Sequence, residues 1–136
     1  MTVDPVLVDP AIEGERLDAA ADLIADLLTA DEQPTGLLVV ADGSTGLTPK
    51  APGGLIEGAE VVQAAVDAAI AAGDLAAIAA LDVAECARVR IDGRAPLQIA
   101  AQVWRRSTPR APVVESLWRG APLGVGGHAA WWVPAR

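Results

Sequence analysis

The segment GLLVVADGSTGLTPKAPGG, residues 36–54, decides how this chain reads. An apolar run from Leu37 to Val40 stops at Asp42-Gly43-Ser44-Thr45. A Pro/Gly-rich loop follows, and an Ala-rich stretch begins soon after it. Four to six apolar residues bounded by turn signals suit a strand buried on both faces. In an open α/β sheet, ligands bind beside the carboxyl ends of the strands, so Asp42, Ser44 and Thr45 are the candidate crevice residues.

Upstream, Val6-Leu7-Val8 between two Asp-Pro pairs reads as a short strand. From Glu15 to Thr29, Leu17, Ala20, Ala21, Ile24, Leu27 and Leu28 recur at helical spacing, with Glu15, Asp18, Asp22 and Asp26 on another face. Strand, helix, strand in this order is a βαβ unit, whose crossover is expected to be right-handed. Downstream, Ala59 to Ala72 is helical, with Gly73 as its C-cap. Asp74 and Asp82 each cap a short helix, ending near Ala80 and Arg88. Asp92-Gly93 marks a turn, and Pro96 suits the first turn of a helix running to Trp104. Val113 to Trp118 and His128 to Val133 read as strands around a glycine-rich turn. The expected fold is a single α/β domain over residues 1–136, small and three-layer-like, with about four strands: a βαβ start, a helical middle and two C-terminal strands.

Composition narrows the function. The hydrophobic fraction is 52%, much of it alanine, with no Tyr or Phe, so Trp104, Trp118, Trp131 and Trp132 are the expected large anchors. A formal net charge of −8 repels phosphate backbones and anionic membranes, which speaks against nucleic-acid and membrane partners. No apolar run approaches the roughly 20 residues of a membrane span. The start MTVDPVLVDP lacks a basic region followed by an apolar one, so a cytoplasmic location is expected. One cysteine, Cys86, leaves no intramolecular disulfide and is expected to be a buried inert thiol.

The chemical motifs are incomplete. A Ser-His-Asp triad built on Ser44 and Asp42 would need the lone histidine, His128, from the last strand. The flanking Asp-Gly-Ser-Thr-Gly is also not the Gly-x-Ser-x-Gly elbow. Turn-shaping side-chain to backbone bonds are the simpler reading of Asp42 and Ser44. No Gly-Lys-Ser/Thr accompanies the loop glycines, so a phosphate loop is not indicated. With one histidine, the chain alone cannot build a two-His-one-carboxylate metal site. Glu85 reads as a solvated helix residue and His128 as a structural one.

The order of these pieces nevertheless resembles a known family. VVADGSTGLTPKAPGGL, then Gly73-Asp74 with LAAIAALD, then AEC, then ESLWRGAPLGVGGHAAWW, is similar to the C-terminal half of the class III extradiol ring-cleavage dioxygenase superfamily. The likeness is to the catalytic B-subunit-like group and its Ala-rich actinobacterial members, and it covers about Gly36 to Trp132. Such enzymes cleave catechol-type rings with non-haem Fe(II) held by two histidines and a glutamate, with a further histidine as acid/base. The resemblance places Thr45 where that acid/base histidine stands and Glu85 where the glutamate ligand stands. Both ligand histidines belong to the family's N-terminal half, which the likeness does not cover. A threonine moves no proton near neutral pH. The resemblance therefore implies a non-catalytic or degenerate half-domain, a pseudoenzyme without cofactor, acting as a binding or interaction module. The alternative is a split or partner-completed Fe(II) extradiol dioxygenase. Half a sheet exposes an edge and apolar faces, so a homo-oligomer or a second chain is expected to cover them.

Overall fold

Helix packing carries this fold, and the computed structural model describes it for residues 2–30 and 32–136. The helices are α1 (Gly14–Thr29), α2 (Ala59–Ala72), α3 (Leu75–Ala79), α4 (Val83–Arg88) and α5 (Arg94–Ser107). The antiparallel hairpin β1 (Pro112–Gly120) and β2 (Gly127–Pro134) follows, with one 3-10 turn (Pro122–Gly124) between its strands. The class is mixed helix and sheet, as expected, but two strands stand where about four were anticipated.

The two missing strands are the upstream ones. Val6–Val8 and the run from Gly36 to Ala41 make no ladder, and no βαβ unit forms. A strand is completed by its neighbour's N–H and C=O groups, and neither segment has such a neighbour among the described residues. Several of their side chains stay in solvent, Leu7 97% exposed, Leu38 83% and Val40 80%, while Val8 packs half-buried against α1 and α5.

The helices follow local rules closely. α2 is rich in alanine, the strongest helix former. Its C-terminus closes on Gly73 at φ +60°, where the Asp74 N–H donates to the Ala69 carbonyl and the Gly73 N–H to Ile70. That left-handed turn is costly for any residue with a Cβ. The Asp74 carboxylate then accepts the Ala77 N–H at 2.9 Å, and Asp82 accepts the Glu85 N–H at 2.7 Å, each satisfying a first-turn donor.

Helix α5 sits between two packed regions. Its Ala95, Ile99 and Val103 meet Leu17, Ala21, Ile24 and Ala25 of α1, while Ala101 packs with Ala69 and Ile78. A third cluster joins Ala59 and Val66 of α2 to Cys86, Val89 and Ile91. Two polar side chains are buried along α5. The Gln98 amide donates to the carbonyls of Ile78, Ala79 and Leu81, which terminate α3. The Arg94 guanidinium donates to Gln98 Oε1 and to the carbonyls of Pro10 and Ile12, each at 2.8 Å. Among the described residues no carboxylate pairs with it, so peptide dipoles solvate the charge.

The hairpin docks on α2 through one face. Pro112 and Val114 lie against Gly73, and the Trp132 indole N–H donates to the Ile70 carbonyl at 3.3 Å. Trp132 also meets Trp104 of α5 edge-to-face, with ring centroids 6.0 Å apart. Trp104 and Trp132 are thus anchors as expected. Trp118 and Trp131 are not: they lie on the opposite face of the hairpin, 50% and 64% exposed. Strand alternation sends one tryptophan of the Trp131-Trp132 pair inward and the other outward.

Replacing Arg94 by alanine strands three carbonyl acceptors in the interior. The expected cost is about 3 kcal/mol of unfolding free energy. Arg94→Lys should recover only part of it, because one ammonium cannot span the same three acceptors. Urea unfolding of the three proteins checks this order.

Candidate functional site

The loop after Val40 is tied down by backbone pairing to the hairpin turn. The Gly43 N–H donates to the Gly126 carbonyl at 3.0 Å, the Gly126 N–H to Ser44 at 2.8 Å, and the Leu47 N–H to Gly124 at 3.1 Å. On the other side, the Gly93 N–H donates to the Asp42 carbonyl at 3.0 Å. The Asp42 side chain is exposed, Thr45 is half-buried and Ser44 is fully buried. The Ser44 hydroxyl donates to the Val89 carbonyl at 2.6 Å and accepts the Gly46 N–H at 3.1 Å. It thereby ties this loop to the end of α4, and no lone pair or proton of that hydroxyl faces a crevice.

Gln63, buried on α2, connects the loop to the hairpin. Its Oε1 accepts the Ser44 N–H at 2.7 Å. That contact fixes the amide orientation, so Nε2 donates to Asp67 Oδ1 at 3.1 Å. A Cβ on Gly43 or Gly126 would lie 2.5 or 2.6 Å from the Gln63 amide. Glycine at both positions is what lets the backbone close around it.

From Asp67 the hydrogen-bonded chain continues into the sheet. His128 Nδ1 lies 3.3 Å from Asp67 Oδ1, and His128 Nε2 lies 2.9 Å from Ser116 Oγ. A carboxylate oxygen only accepts, so Nδ1 carries a ring hydrogen, and in the neutral ring Nε2 then presents its lone pair to the Ser116 hydroxyl. The imidazole is 3% exposed, whereas Ser116 reaches solvent. Ser116 and His128 belong to the hairpin face that packs on α2. Just beyond them the ladder breaks: Ser116 pairs with Ala130 and Trp118 with Ala129, leaving Leu117 bulged without a cross-strand partner. A cleft of about 290 Å³ opens here, lined by Ser116, Leu117, Trp118, Arg119, His128 and Ala71.

The single histidine therefore does stand between a serine and an aspartate, but not Ser44 and Asp42. Gln63, Asp67 and Ser116 carry no motif. Their sequence signal is polarity inside an apolar stripe. Gln63 and Asp67 sit four apart among Ala59, Val62, Val66, Ala69 and Ile70. Ser116 and His128 occupy the strand positions that otherwise hold Pro112, Val114, Ala130 and Trp132.

The other candidates lie elsewhere. Glu85 is on the surface of α4, where Arg88 holds its carboxylate through Nε and Nη2 at 3.0 and 2.6 Å; that pairing lowers the Glu85 pKa. The iron that the resemblance implies does not fit these surroundings, since the one carboxylate assigned to it is occupied by a guanidinium. Among the described residues no three His, Cys, Asp or Glu side chains converge on a point that could hold a metal ion. Cys86 is buried, and burial pushes its thiol pKa up. No helix among the described residues is long and apolar enough to cross a membrane.

Two outcomes follow from this geometry. Gly126→Ala drives a methyl into the Gln63 amide and should cost about 2 kcal/mol in denaturant titration. Cys86, held as a thiol in the interior, should react with Ellman's reagent at pH 8 only when the chain unfolds, so its labelling rate tracks the unfolding equilibrium. Comparison of the chain with protein-family models, with curated proteins and with solved structures found no match.

Proposed function

We propose that this chain is a binding and interaction module of extradiol-dioxygenase ancestry, without ring-cleavage chemistry of its own. The observation that carries the reading is the outer face of the hairpin. Val113, Trp118, Trp131 and Val133 lie on it, with Val113 opposite Val133, Trp131 opposite the exposed Glu115 and Trp118 opposite Ala129, and all four are exposed. Leu38 and Val40 add further uncovered apolar surface. Exposed apolar surface of this kind marks an interface, and tryptophan is among the residues that contribute most at such places.

The ancestry rests on the motif order from Gly36 to Trp132 and on Thr45 and Glu85 at the family positions. In this reading the covering partner is a second copy of the chain or another chain. Sheet faces need a complementary apolar surface, and a net charge of −8 makes a nucleic-acid partner unfavourable. The small domain remains a solution-facing scaffold, and Asp42 and Thr45 rim the loop side.

Light scattering at about 100 μM, a concentration suited to interfaces of modest area, checks the surface. The wild type is expected to run as a dimer or larger, and Trp131→Glu with Val133→Glu as a soluble, folded monomer. A wild-type monomer would overturn self-association. Anaerobic loading with Fe(II) followed by catechol checks the lost chemistry: neither stoichiometric iron nor the yellow ring-opened product is expected. The appearance of both would replace this reading with the dioxygenase one.

A further inference from the structure

We infer that Ser116, His128 and Asp67 are the nucleophile, base and orienting carboxylate of an acyl-transfer site for short-chain acyl esters. This inference is independent of the interaction reading above. The three groups have the connectivity that such chemistry requires. A carboxylate accepts from Nδ1 of the imidazole, and the opposite nitrogen accepts from a serine hydroxyl. The imidazole cannot rotate freely, because it is buried and bonded at both ends. Asp67 is fixed in turn by the Gln63 amide, which the Ser44 N–H orients. The imidazole in the middle is closed off, the Asp67 end is half-buried and the serine end is the most open to solvent.

The surroundings supply the remaining parts. Leu117 directly follows Ser116 and is the bulged residue, so the strand register shifts right beside the hydroxyl. An N–H from the residue after the nucleophile is a recurrent donor to the oxyanion of acyl transfer. Arg119 adds positive charge to the same cleft, which favours the negative tetrahedral species over a neutral ester. Ala71 and Leu117 give the cleft an apolar lining, and its volume of about 290 Å³ suits a small acyl group.

The chemistry balances with water as the sole co-reactant. Ser116 Oγ bonds to the acyl carbon as its proton passes to His128 Nε2. The ester C–O bond breaks, and the departing alkoxide takes that proton, leaving an acyl-serine and a free alcohol. Water then attacks the acyl carbon, giving its proton to Nε2, and the Ser116 oxygen recovers it on release of the carboxylic acid.

The test uses the full chain with a fluorophosphonate, which phosphonylates activated serines, and with p-nitrophenyl acetate. Peptide mapping is expected to find one phosphonyl group per chain, on Ser116, and p-nitrophenolate release is expected to be lost in Ser116→Ala. Ser116→Ala takes away the partner of His128 Nε2, so the variant should stay folded with a slightly lowered melting temperature, which is recorded beside the activity. Asp67→Asn, which presents the wrong hydrogen-bonding partner to Nδ1, should slow labelling by about 10³-fold or more. No adduct on the wild type, an adduct elsewhere, or unchanged labelling in Asp67→Asn would each overturn the inference and leave the three side chains as a structural tie between α2 and the hairpin.

Discussion

One primary amide holds this architecture in register. Gln63 touches the loop through Ser44, the helix through Asp67, and the hairpin turn through the glycine that packs on it. A buried amide is expensive unless both its ends are satisfied, and here each end has a single well-placed partner. The requirement acts on all three pieces. The loop must present an N–H, helix α2 must present a carboxylate one turn on, and the turn must carry no side chain. A two-stranded hairpin alone is marginal in water, so the polar tie at one end and the Trp104–Trp132 contact at the other are what keep it seated.

Helices α1 to α5 were legible because the information that makes them is local. The apolar spacing from Leu17 to Leu28, the capping carboxylates of Asp74 and Asp82, and Gly73 in the left-handed region all act within a few residues of where they stand. The two C-terminal strands were legible for a related reason, since a short turn brings each one its partner. Residues 6–8 and 36–41 carry the same β-branched signal and form no strand. A strand's pairing depends on what lies beside it, and composition does not encode that. Their apolar character describes what they would pack against, which this chain does not contain.

The candidate site was legible only in part. The loop drew attention by its position at the end of an apolar run, and of its polar residues Ser44 is part of the network. Their part is internal: Ser44 holds backbone. The exposed serine is Ser116, seventy-two residues away in sequence, brought to His128 by strand pairing and to Asp67 by helix–sheet packing. Triad geometry has no fixed sequence order, so only the polar interruptions of two apolar stripes pointed toward it.

The close approach of Gly43 and Gly126 to the Gln63 amide has an evolutionary consequence. Neither glycine can acquire a side chain while Gln63 keeps its length, and Gln63 cannot be replaced by a longer residue while both glycines remain covered by it. The three positions therefore form one unit of inheritance, though they lie in a loop, a helix and a turn. In diverging descendants of this chain, a shorter residue at 63 should accompany a first methyl at 126, while position 43, whose Cβ would also lie 2.7 Å from the Gly126 carbonyl, should stay glycine.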